Sequence, residues 1–195
     1  VMLWSDPMPP YDGCMKGLLE TVATQTEESD LEIPWKTLTN NIYCEGVGKG
    51  GRQRKLNVFS RDKQGVAITV IIDFPGLGHY NQTFELPDDN LFKMVCSAKT
   101  LGWPLWLEPL SRWTPKCLWP HHDKIHWPNQ SNTEEALRII AFHRALDILG
   151  VLAAVGAGSG FLLAVDVISI CAGHRLDTEM LRQIKEEDLR PVTVG

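Results

Sequence analysis

Basic charge is what this sequence lacks first. It carries 19 Lys and Arg against 24 Asp and Glu, a net charge of −5. A chain without a basic excess does not neutralise a phosphate backbone, which excludes nucleic acid as the main partner. The common catalytic signatures are also absent. Neither G-x-S-x-G nor H-E-x-x-H occurs, which removes the serine-hydrolase elbow and the helical zinc-protease site. Gly46-Val47-Gly48-Lys49-Gly50 begins like a phosphate loop. However, Tyr43 stands where the leading glycine belongs and Gly50 where Ser or Thr would hold magnesium, so no cradle is complete. There is no internal repeat and no low-complexity tract. Binding is therefore expected over catalysis, with no catalytic residue, cofactor or metal assigned.

Metal-ligand residue types gather only once, as Cys117, His121, His122, Asp123 and His126. Their spacing matches no tight zinc signature, and Trp119, Pro120, Trp127 and Pro128 crowd them. Surface histidines in a proline-rich loop are the plainer reading.

Charge is missing altogether from Ile148 to Val165, and Asp166 is the single charge in the 24 residues Ile148–Cys171. A helix rising about 1.5 Å per residue crosses roughly 30 Å of hydrocarbon in that length. A transmembrane span over 148–171 is therefore expected, inside a long helix over 131–172 that opens on the capping box Ser131-Asn132-Thr133-Glu134. Gly156 and Gly160 form a G-x-x-x-G pair, the small-residue stripe along which membrane helices approach closely. This predicts a protein partner or a second copy packed against the helix. Lys and Arg number four in 172–191 and two in 128–147, which puts the C-terminal tail, 173–195, on the cytosolic side.

The N-terminal 130 residues then lie outside the cytosol. Two sequons, at Asn81 and Asn129, agree with that placement. Cys14, Cys44, Cys96 and Cys117 would supply two disulfides, with three possible pairings. Strand signals dominate residues 40 to 97: Asn41–Cys44, Lys55–Ser60, Val66–Asp73, Tyr80–Leu86 and Leu91–Ser97 are short, β-branched or aromatic runs between turn signals. They predict a mainly β N-terminal domain over 1–130, an antiparallel sheet or sandwich. The segment 101–128 within it holds five of the seven tryptophans (Trp103, Trp106, Trp113, Trp119, Trp127) and five of the twelve prolines. That composition excludes regular helix. It offers rings suited to a membrane interface or a protein partner.

The expected function is that of a single-pass membrane protein whose N-terminal domain mediates protein binding or assembly, as a surface glycoprotein or an accessory subunit. The alternative reads Gly156-Ala157-Gly158-Ser159-Gly160 as a strand-to-helix turn. Over about ten residues it resembles motif I of the methyltransferases. That resemblance implies a soluble enzyme holding S-adenosylmethionine or a dinucleotide at 156–160.

Overall fold

The computed structural model describes residues 32–48, 51–74, 78–88, 119–121, 124–126, 133–157 and 159–192. Within them the protein is mostly β-sheet with two helices, one long and apolar. The strands are β1 (Trp35–Leu38), β2 (Ile42–Val47), β3 (Gln53–Ser60), β4 (Val66–Phe74), β5 (Gly78–Leu86), β6 (Trp119–His121) and β7 (Lys124–His126). Helix α1 (Thr133–Ala157), β8 (Leu162–Leu163), β9 (Val165–Ile170), helix α2 (His174–Gln183) and β10 (Leu189–Pro191) complete the order.

The principal sheet has the order β2-β3-β9-β4-β5. Strand β9 is its middle strand, antiparallel to β3 and parallel to β4. The sheet is thus mixed, where the sequence predicts antiparallel pairing throughout. Alternation along the strands sends one set of side chains to one face. Ile42, Cys44, Leu56, Val58, Val165, Val167, Ile68, Val70 and Phe84 are all at least nine-tenths buried. They meet α1, which packs over β4 and β5, and α2, which packs over β2 and β3. Phe84 and Phe142 touch edge to face with centroids 5.2 Å apart. Each such side chain contributes roughly 1.5–3 kcal/mol by leaving water. A second sheet, β10-β1-β8, adjoins the first, and the buried Arg61 N–H donates to Thr37 Oγ1 at 2.9 Å where the two meet.

The expected helix over 131–172 is corrected. Helix α1 ends at Ala157, and the second half of the 148–171 run is strand. The cause is the turn after Ala157. The Gly156 carbonyl accepts from the N–H groups of Ser159, Gly160 and Phe161, and Gly160 sits at φ +71°. A Cβ on Gly156 would lie 1.9 Å from the Phe161 carbonyl oxygen, so the chain reverses there only because the residue is glycine. In β9, Val165, Val167 and Ser169 are buried toward the helices, and Asp166, Ile168 and Ile170 are half-buried on the other face, so four of six positions are apolar.

Gly156 and Gly160 therefore do not form a packing stripe on one helix, since Gly160 lies beyond the helix end. The stretch of α1 that is long and apolar enough to cross a membrane is Leu137–Gly156, at mean hydropathy 1.7, and half of it is buried inside the fold. Residues of the expected outer domain 1–130 and of the tail 173–195 meet in the described structure. Strand β10 pairs with β1 in the register Lys36↔Pro191, and α2 packs on β2 and β3.

Candidate functional site

A cavity of about 410 Å3 opens where β4 and β9 end side by side beneath α1. The outer end of parallel strands is the usual place for ligands in sheets of this kind. Three elements bring the chemistry. Helix α1 contributes His143, Arg144 and Asp147. The turn from β9 into α2 contributes Cys171, Ala172, Gly173 and His174. Arg52, just before β3, and Arg54 within it add two guanidiniums, with Asp73 near the end of β4. Val70, Ile72 and Ile140 give the cavity an apolar wall.

Arg144 anchors the arrangement. Its Nη1 and Nη2 donate to Asp177 Oδ2 and Oδ1 at 2.7 and 2.5 Å, and its Nε donates to Ser169 Oγ at 3.2 Å. Both charged groups are more than nine-tenths buried. One guanidinium thus joins α1, α2 and the middle strand, and its two-point geometry fixes their spacing.

Asp147 is faced by both histidines. His143 Nε2 lies 3.6 Å from Oδ1 and His174 Nε2 4.0 Å from Oδ2, while His174 Nδ1 is 3.4 Å from Asp177 Oδ2. Burial pushes His143 below its ordinary value, against the opposing pull of Asp147. Its ring is therefore neutral near pH 7, with one nitrogen turned to a carboxylate. His174, at the cavity mouth, is 80% exposed.

Cys171 stands at φ +46°, a left-handed conformation unusual for any residue but glycine. Its N–H donates to the Ile71 carbonyl at 2.9 Å and its thiol lies 3.8 Å from the Asp73 carbonyl oxygen. Ser169 and Gly173, two residues before and after, are small, and Gly173 caps α2 in extended conformation. A strand, a left-handed cysteine with a small residue two positions to either side, and the start of a helix thus follow one another at the cavity edge. The first N–H groups of α2 are directed out of its N-terminal end, toward the turn.

The expected sites fall elsewhere. Cys44 is a free, wholly buried thiol on the helix-facing side of β2. Burial, with Glu179 and Asp177 nearby, pushes it up to about 11. Cys14, Cys96 and Cys117 lie outside the described residues. Asn81 is exposed on β5, and Asn129 is outside. Trp119 and His121 fall in β6 and His126 in β7. Trp103, Trp106, Trp113, Trp127 and His122 are not among the described residues. The turn 156–160 follows a helix and precedes a strand, the reverse of the order a cofactor-binding turn requires, and the N–H groups of Ser159 and Gly160 are spent on the Gly156 carbonyl. Among the described residues no group of three His, Cys, Asp or Glu is arranged to hold a metal ion.

Sequence reasoning missed His143, Asp147, Cys171 and His174. Two signals were present. His143 and Asp147 are spaced i,i+4 on a helix, and Ser169-x-Cys171-x-Gly173 places small residues around a cysteine. The latter was hidden inside an apolar run. No protein-family profile matches the chain, and no curated protein matches it.

Proposed function

We propose that the protein is a cysteine-dependent enzyme of the acyl-transfer class, with this cavity as its active site. The observation that carries the reading is Cys171 at φ +46° between β9 and α2, lining the same cavity as His143 and Asp147. His143 is the general base, because it is held neutral by burial and oriented by Asp147. It takes the thiol proton as the Cys171 sulfur attacks the substrate carbonyl carbon. The oxyanion of the tetrahedral intermediate is received at the N-terminus of α2. Its collapse expels the leaving group, which takes the proton from His143 and leaves a thioester on Cys171. Water, activated by the same histidine, releases the acid. Arg144 and Asp177 are positioning residues, since they hold α1 and α2 at the spacing that puts these groups in one cavity.

The test is hydrolysis of 4-nitrophenyl acetate by the full chain. Cys171→Ser and His143→Gln should each lower kcat by about a hundredfold or more, the scale of a lost nucleophile or base. Rates unchanged in both variants would overturn the reading.

A membrane-anchored assembly protein is the second reading, favoured by the length and hydropathy of Leu137–Gly156. Recovery in the pellet after alkaline carbonate washing supports it. Recovery in the supernatant leaves the enzyme reading as the one that stands.

A further inference from the structure

We infer that the substrate carries an anionic group, a carboxylate or a phosphate, bound by Arg52 and Arg54 at the cavity mouth. This rests on the reading of the cavity as the active site and names the class of molecule it takes.

The inference follows from how the charges around the cavity are partnered. Of the three arginines that line it, Arg144 is committed to Asp177. Asp147 is taken up by His143, His174 and, at 3.9 Å, Arg144. Arg52 and Arg54 have no carboxylate partner among the described residues. Arg52 donates through Nη1 to the backbone carbonyl of Asp73, a neutral acceptor that orients the guanidinium without neutralising it. Arg54 lies along the β2–β3 hairpin: a Cβ on Gly48 would come within 2.4 Å of its Nε. A glycine is thus what lets this side chain lie flat over the turn.

The two residues flank Gln53, the first residue of β3, and line one cavity. Two positive side chains without a carboxylate partner on one cavity rim attract an anion to it. Arginine forks match the paired oxygens of carboxylate and phosphate. The apolar wall of Val70, Ile72 and Ile140 then accommodates the rest of the molecule. Two carboxylates line the cavity; Asp147 is faced by His143 and His174, so Asp73, exposed on the arginines' side, is the one set against an anion.

The test separates binding from catalysis. Inorganic phosphate and succinate are each titrated into the full-length protein and into its Cys171→Ser variant, and the amide signals of Gly173 and His174 are followed by NMR at low ionic strength. Saturable shifts with at least one of the two anions are expected in both proteins, and the anion bound more tightly identifies the headgroup. Arg52→Gln and Arg54→Gln should each weaken that binding about tenfold, the scale of a lost charge-assisted hydrogen bond. Asp73→Asn should tighten it. Lys63→Gln, at the opposite end of β4, should leave it unchanged. Absence of saturable shifts in folded protein with both anions would overturn the inference, as would a loss in Lys63→Gln equal to that in the arginine variants. Hydrolysis of the uncharged ester without anion binding would remove this inference alone. Anion binding in a protein whose Cys171→Ser variant hydrolyses as fast as wild type would remove the cysteine mechanism alone.

Discussion

Arg144 on α1 and Asp177 on α2 meet in a two-point ion pair, at 2.7 and 2.5 Å, buried between the helices above Ser169. Removing one partner leaves the other charged and dry. Asp177→Ala is expected to destabilise the fold by about 3–5 kcal/mol. The double substitution Arg144→Met with Asp177→Leu should cost less than Asp177→Ala alone, because no charge is then stranded. Urea denaturation of the variants measures both. Equal stability of Asp177→Ala and wild type would show that the pair does not hold the helices.

Acid should weaken the fold through His143. Burial lowers its pKa below the ordinary 6.5, so the unfolded chain binds a proton there more readily than the folded one. The contribution to stability is complete above about pH 6.5 and is lost as pH falls below it, with a slope of at most about 1.4 kcal/mol per pH unit for one proton. Chemical denaturation at pH 7.5, 6.5 and 5.5 should show stability dropping over the lower interval, and His143→Asn should flatten that drop. The same slope in wild type and variant would place the titrating group elsewhere.

The two described thiols should differ in reactivity. Cys44 is fully buried and pushed up to about 11, so it stays protonated and out of reach at neutral pH. Cys171 is only half-buried at the cavity edge. Brief treatment of the native protein with iodoacetamide should therefore label Cys171 and spare Cys44 until denaturant is added, as read by peptide mass spectrometry. Labelling of Cys44 first would contradict the burial pattern of β2.

Gly156→Leu tests what the glycines after α1 are for. With the Phe161 carbonyl oxygen 1.9 Å from the position a Cβ would take, the turn has no room for a side chain. The variant should lose at least about 2 kcal/mol of stability, or fail to fold. Gly150→Ala, where a Cβ meets nothing within 4 Å, should gain up to about 1 kcal/mol from the better helix former. A stable Gly156→Leu protein that has lost only self-association would return these glycines to a helix-packing role.

The legibility of the sequence varies along the chain. Val66–Asp73 reads as strand and is strand, because its β-branched residues sit between Gly65 and Pro75-Gly76 and tertiary contacts agree with local preference. In the tail, Leu176, Met180, Leu181 and Ile184 are spaced as one helix face; Leu176 and Met180 are buried on α2, whereas Leu181 is exposed and Ile184 lies just past the helix end. Val165–Ile170 defeated the same reasoning. Apolar residues stand on both faces of β9, Val165 and Val167 on one and Ile168 and Ile170 on the other, so the run reads like a membrane helix when an apolar helix precedes it. The β-branched content of Val165, Val167, Ile168 and Ile170, and the glycines before them, were the local evidence for strand. The cavity was not legible for a different reason. His143, Cys171 and Arg52 come from three separated parts of the chain, and only the insertion of β9 between β3 and β4 brings them to one place.

Intact-protein mass spectrometry after mixing with 4-nitrophenyl acetate would show whether Cys171 carries the chemistry. One acetyl group should appear within the first turnovers, map to Cys171 by peptide analysis and decay once the ester is exhausted. The His143→Gln variant should acquire it at least about a hundredfold more slowly. An unmodified Cys171 in protein that hydrolyses the ester, or acetylation of Cys171 at the same rate without His143, would contradict the mechanism.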